Sequence, residues 1–211
     1  LRNILELGCG TGNYTLFLRN KFKRAAIRAI DISENMIAVA KEKLRGRDIE
    51  FMVADAEGIS FPIEFDLITS NACFQWFQDI EKALNQYKDM LIKDGRIYFS
   101  SFGPGTFREL HLALQAVTGK CAPASAFLPK EKLAQSMQDN FRKVVIKEAK
   151  YQESFSGLLD LLKKIKYTGT RGENGIPMSP GLLGKIEAAY LKRRAKFVAT
   201  YQVFFCQGVK G

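Results

Sequence analysis

The chain has 211 residues, of which 46% are hydrophobic and 26% charged, with a net charge of +10 and four cysteines. That length can bury one large core, and the composition excludes a disordered, collagenous or repeat protein. No apolar run reaches the roughly 18 residues of a membrane span, and Cys9, Cys73, Cys121 and Cys206 form no C-x-x-C pair, so neither a zinc knuckle nor a disulfide framework is expected.

Asn3 to Leu7 (NILEL) reads as a short apolar strand, and a glycine loop follows it directly. A helical pattern starts at Asn13 and ends in a basic stretch, Arg19 to Arg24. Ala26 to Ile30 is the second strand, closed by Asp31; Ser33 then caps a helix with Glu34 in its first turn and Met36, Ile37, Ala40 and Leu44 at helical spacing. Ile49 to Ala54 and Phe65 to Ser70 are strands three and four. Asp79 to Leu91 is helical, and a Lys93-Asp94-Gly95 turn leads into a fifth strand, Arg96 to Ser101.

Strands alternating with helices predict parallel pairing with right-handed crossovers, an α/β doubly wound sheet. Beyond Ser101 the expected elements are a helix over Thr106 to Val117, a loop at 121–125, a strand over Val144 to Ala149 and an amphipathic helix over Gly157 to Lys166. A Gly/Pro-rich loop over 169–181, a helix carrying Leu183, Ile186 and Tyr190, and a last strand over Ala199 to Gln207 complete the chain.

In an open parallel sheet the ligand lies beyond the carboxyl ends of the strands, where the strand order reverses. Gly8, Gly10 and Gly12 stand there, letting the backbone turn sharply and come close to a ligand. The spacing is G-C-G-T-G preceded by Glu6, not the G-x-G-x-x-G of a dinucleotide loop. A carboxylate beside the loop repels phosphate and suits a cation. Asp31 is placed to accept ribose hydroxyls, and Asp55 to accept from an exocyclic amino group. Three acids at three successive strand ends describe a site for a positively charged nucleoside.

The motifs E-L-G-C-G-T-G at 6–12, D-I-S-x-x-M at 31–36, A-D-A-E at 54–57 and F-D-L-I-x-S-N at 65–71 resemble the class I S-adenosylmethionine-dependent methyltransferases. The resemblance implies a mostly parallel seven-stranded Rossmann-like sheet and S-adenosylmethionine as cofactor, with no metal. It implies cofactor contacts from Glu6, Gly8, Cys9, Gly10, Gly12, Asp31, Ile32, Met36, Asp55, Ala56 and Asn71. S-N-A-C-F-Q-W at 70–76, F-G-P-G-T-F-R-E-L at 102–110, L-L-K-K-I-K-Y-T-G-T-R-G at 161–172 and A-T-Y-Q-V-F-F-C-Q-G at 199–208 extend the likeness to the malonyl-acyl-carrier-protein O-methyltransferases of biotin synthesis.

The expectation is a single methyltransferase domain over 1–211, with a cofactor-binding half (1–101) and a substrate-binding half with a helical cap (102–211). Because that family carries a helical segment ahead of its first strand, an N-terminal segment is expected to be missing here. The other acceptors in play are a different small metabolite, or none at all in a non-catalytic cofactor-binding module.

A carboxylate acceptor calls for positioning groups rather than a base: Arg171, with its planar fork, and Thr168 and Tyr167 beside it. Phe74, Trp76 and Phe77 follow the fourth strand and are expected mostly to cover the sheet edge or cofactor, with Phe74 a candidate wall for the acceptor. His111, the sole histidine, is expected on a helix surface rather than as an acid or base. Residues 141–211 hold 14 basic and 5 acidic residues, so the charge excess lies there. An acidic acyl carrier protein docking on Lys163, Lys164, Lys166, Lys192, Arg193 and Arg194 accounts for it. Nucleic acid is not expected, because no aromatic-and-basic alternation accompanies the lysines. A monomer in the cytoplasm is expected, given scattered cysteines and no charged-then-apolar leader.

Overall fold

The computed structural model describes the backbone of residues 1–120, 123–167, 179–193 and 196–211, and the side chains of all of these except 123, 125, 166, 167 and 193. Seven strands form one sheet: β1 (Asn3–Leu7), β2 (Ala26–Asp31), β3 (Ile49–Val53), β4 (Phe65–Asn71), β5 (Leu91–Phe102), β6 (Arg142–Phe155) and β7 (Phe197–Val209). Among the described residues, seven α-helices accompany them: α1 (Asn13–Lys21), α2 (Glu34–Lys43), α3 (Ile80–Met90), α4 (Arg108–Thr118), α5 (Lys130–Asn140), α6 (Leu158–Tyr167) and α7 (Pro180–Arg193). The strand order is β3-β2-β1-β4-β5-β7-β6, and the pairs β3/β2, β2/β1, β1/β4 and β4/β5 are all parallel. The order reverses between β1 and β4, which puts the β1 loop at the switch point anticipated from the sequence.

β1 sits at the centre and is buried on both faces: Ile4, Leu5 and Leu7 are fully enclosed and Glu6 is 1% exposed. That is why its sequence reads as a continuous apolar run instead of an alternation. Ile4, Ile27 and Leu67 of three neighbouring strands pack with Leu18 of α1, while Ala29 packs with Ile37 of α2.

The chain divides into two compact units: Leu1–Ser101 with Lys130–Lys147 and Phe204–Gly211, and Phe102–Pro129 with Glu148–Val203. The second unit has its own core, in which Leu110, Leu114, Leu161, Ile186, Tyr190 and Phe197 pack together. Glu109 of α4 is buried there, and its carboxylate accepts from Thr200 N at 3.0 Å and Thr200 Oγ1 at 2.7 Å, tying α4 to β7.

Several elements differ from the sequence expectation. β5 begins at Leu91, not Arg96, because the 93–95 turn lies inside the strand: Phe65 pairs with Leu91 but Leu67 pairs with Arg96, and Asp94 takes a positive φ of 61° in the excursion. β6 and β7 run longer at both ends than their apolar cores. The helix expected from Thr106 starts at Arg108, since Phe107 adopts a left-handed φ of 55°. α5 was not anticipated at all: its buried stripe is only Leu133, Ser136 and Met137, too polar to register as a periodic pattern.

Candidate functional site

The first unit brings the strand ends together. After Leu7 the backbone takes a positive φ at each of the three glycines: 67° at Gly8, 53° at Gly10 and 79° at Gly12. Cys9 N donates to Ile30 O at 2.9 Å and Gly12 N to Cys9 O at 3.0 Å, fixing the loop. The three glycines do different work. A Cβ on Gly8 would lie 2.6 Å from Cys73 Sγ, and one on Gly12 would lie 3.0 Å from Leu44 Cδ1 and 3.3 Å from Ala40 Cβ, so both are needed for packing. A Cβ on Gly10 would meet nothing within 4 Å. Gly10 therefore faces open space, as a backbone that cradles a ligand must. α1 begins right after the loop, with no side-chain cap and no acid in its first turn.

Asp31 closes β2 and holds this loop: its Oδ2 accepts from Gly10 N at 2.8 Å and its Oδ1 from Ser33 N at 2.9 Å. Each carboxylate oxygen keeps a second lone pair for a hydroxyl. Ser33 caps α2 through Met36 N, and the apolar side chains of Ile32 and Met36 are exposed at 73% and 38%. Asp55, expected to face a ligand amino group, is exposed and accepts from Glu57 N at 3.0 Å as the cap of a short 3-10 turn, Ala56–Gly58. Ala56 is buried, and its carbonyl accepts from Tyr87 OH at 2.8 Å. Asn71 Oδ1 accepts from Ser100 Oγ at 2.7 Å.

Glu6 is the unusual group. It is buried with its Oε2 lacking any hydrogen-bond partner. Burial raises its pKa to about 7; the Thr15 side chain offsets part of that rise and the Asp31 charge adds to it. An unpartnered buried carboxylate oxygen costs about 1–3 kcal/mol, and a cation held over the loop would relieve it. This set of acceptors thus fits a positively charged nucleoside. The thiols beside it are not nucleophiles at neutral pH: burial pushes Cys73 up to about 12 and Cys9 higher still. Among the described residues no group of His, Cys, Asp and Glu could hold a metal ion.

One expected site residue is corrected by the packing. Phe74 is 1% exposed and stacks on Phe99 at 3.8 Å and Phe77 at 4.6 Å between ring centroids, so it belongs to the core and cannot wall an acceptor site. Of the three aromatics in that stretch, Trp76 carries the exposed surface. The sequence reading missed Glu57, whose Oε1 accepts from Gln78 N and Asp79 N at 2.9 and 2.8 Å and braces the 71–79 segment; its place two residues after Asp55 was the available signal. Arg171, Thr168 and Arg194 lie outside the described residues, as do the side chains of Tyr167, Lys166 and Arg193. Lys163 and Lys192 are exposed in the second unit, and Lys164 pairs with Glu153 at 3.2 Å. His111 is half-buried on α4.

Residues 5–99 match the family described as Methyltransferase domain. Malonyl-[acyl-carrier protein] O-methyltransferase 2 of Ilyobacter polytropus is 34% identical over 194 residues, covering 90% of this chain and 74% of that protein. Malonyl-[acyl-carrier protein] O-methyltransferase of Bacillus anthracis is 33% identical over 213 residues, covering 96% and 79%. The solved Haemonchus contortus phosphoethanolamine N-methyltransferase 2, in complex with S-adenosyl-L-methionine, shares the fold with a TM-score of 0.63 at 19% identity, over 99% of this chain and 48% of that one. With identity above 30% sustained across nine-tenths of its length, and with the sheet order and glycine loop described above, the chain belongs to the malonyl-[acyl-carrier protein] O-methyltransferase family.

Proposed function

We propose that this chain transfers a methyl group from S-adenosylmethionine to the free carboxylate of a malonyl thioester carried on acyl carrier protein, leaving the methyl ester. The observations that carry the cofactor assignment are the buried, unpartnered Glu6 oxygen on β1 and the open Gly10 backbone in the loop that follows this strand. The acceptor rests on the likeness to the malonyl-[acyl-carrier protein] O-methyltransferases. When bound, the sulfonium supplies an electrophilic methyl and departs as the neutral thioether, S-adenosylhomocysteine.

The chain's own residues bind and orient. Glu6 provides the counter-charge, Gly10 the close backbone approach, Asp31 acceptors for the ribose hydroxyls, and Ile32 and Met36 apolar surface for the base. A malonyl carboxyl is ionised near neutrality, because carboxyl pKa values lie at about 4, so no general base is required. Positioning two reactants at attack distance contributes on the order of 7–11 kcal/mol; Arg171, Thr168 and Tyr167 remain our candidates for holding the acceptor. The carrier docks on the lysine-rich part of the second unit, and the protein works as a cytoplasmic monomer.

Incubating malonyl-carrier with S-adenosylmethionine should add the mass of one methylene, lost on saponification of the ester. A wild-type protein that methylates another acceptor but never malonyl-carrier would refute the proposal. Asp31→Ala should abolish measurable cofactor binding by calorimetry.

A further inference from the structure

The second unit contains a cavity of about 360 Å³ lined by Phe102, Tyr151, Gln152, Glu153, Lys164, Tyr201 and Val203. This volume lies in the ordinary range for small-molecule sites, about 300–1,000 Å³. Its walls are the aromatic rings and aliphatic surfaces of these side chains, with Tyr201 held in place by Phe107 at 5.0 Å and Phe102 at 6.0 Å between centroids.

The only ionised groups among the lining residues are Glu153 and Lys164, and they satisfy one another. Glu153 Oε1 accepts from Lys164 Nζ at 3.2 Å and its Oε2 from Tyr201 OH at 2.9 Å. Burial, and the Glu153 carboxylate beside it, push the Tyr201 phenol well above its usual range, so it stays a neutral donor. The cavity is therefore apolar and carries no net charge. A free carboxylate entering it would face Glu153 and find the lysine partly compensated by that residue. A phosphate would fare worse. A neutral chain of methylenes broken by amides suits it, because the apolar walls cover the methylenes while Gln152 and the spare lone pairs of Glu153 meet amide groups.

We propose that this cavity seats the neutral arm of methylenes and amides that tethers the acyl thioester to its carrier, leaving the charged malonyl end to be held elsewhere. The proposal rests on the malonyl-carrier reading above. It explains how the protein tells a carrier-bound malonyl group from a free dicarboxylate: recognition falls on the uncharged tether.

Pantetheine is the probe. It should compete with malonyl-carrier in wild-type protein, and Val203→Phe, which fills the cavity, should abolish that competition. The same substitution should lower kcat/KM for malonyl-carrier, relative to kcat/KM for malonyl methyl thioester, at least tenfold. Because Val203 is 9% exposed and Phe there risks misfolding, Tyr151→Ala, at a wall position 54% exposed, provides a second test with an expected drop of about threefold. No competition by pantetheine together with an unaltered ratio in either folded variant overturns the proposal. If wild-type protein never methylates malonyl-carrier, the functional reading fails, and equilibrium dialysis of pantetheine then decides the cavity separately: Val203-dependent binding upholds it and no binding overturns it.

Discussion

Glu6 shows how a single buried residue links stability to binding. Its pKa in the folded chain is about 7 against an ordinary 4.5, so the fold favours the protonated form. The stability it contributes is fully present below about pH 4.5 and is lost as pH rises through about 7. At 1.36 kcal/mol per unit the loss amounts to about 3 kcal/mol at pH 8 in the protein without ligand. Glu6→Gln should therefore gain up to this amount at pH 8, show little difference at pH 4.5, and bind the cofactor more weakly; urea unfolding at the two pH values checks it, and an equal pH dependence in both proteins would contradict it. A cationic ligand reverses the preference, so its binding near pH 6 should release a proton, visible in calorimetry across buffers of different ionisation heat.

The glycines separate packing from binding in the same way. Gly8→Ala must push Cys73 aside and hold a left-handed φ, and should cost several kcal/mol; Gly10→Ala meets only the backbone strain, about 1–2 kcal/mol. Its larger effect should be on cofactor affinity, so melting and binding measured on both variants should rank them in opposite orders. The sequence made Glu6, Asp31 and the glycine loop legible because each stands at or just beyond the carboxyl end of a strand. It could not say that Gly8 and Gly12 pack while Gly10 stays open, since that depends on Cys73 and on α2, distant in the chain.

Among the elements, α3 is the best-specified. Asp79 caps it by accepting from Lys82 N at 3.0 Å, Glu57 grips the same entry from the outside, and Ile80, Leu84 and Tyr87 bury one face. Asp79→Ala should lower stability by about 1 kcal/mol. Phe74→Ala should lower it by about 3–5 kcal/mol, the range for emptying a buried aromatic site. Denaturant midpoints test both, and a nearly neutral Phe74→Ala would return that ring to the acceptor site. Strong caps and a wide apolar stripe are why α3 was readable from sequence. α5 was not, because its buried stripe is too polar and its packing is long-range: Gly208 of β7 lets Met137 and the adjoining Phe141 approach, with a Cβ there only 2.7 Å from Phe141 Cβ. No local pattern contains that contact.

Across the whole molecule the charge is the feature that binding must use. The last 71 residues carry nine more basic than acidic side chains, while the first 140 are nearly balanced, so the excess falls mostly in the second unit's sequence. Lys164 is partly neutralised by Glu153, and of the expected docking set Lys163 and Lys192 are the other members whose side chains are described, both exposed. Exposed charges act through the field they cast on an approaching partner, and at 0.15 M salt that field decays over about 8 Å. Lys163→Glu with Lys192→Glu should therefore raise KM for malonyl-carrier roughly tenfold at low salt and much less at 0.5 M, through slower association. The same pair of changes should alter the reaction of malonyl methyl thioester, which brings no acidic surface, by less than about twofold. Equal losses on the two acceptors, or a loss insensitive to salt, would mean that the basic surface serves solubility and that the carrier docks elsewhere.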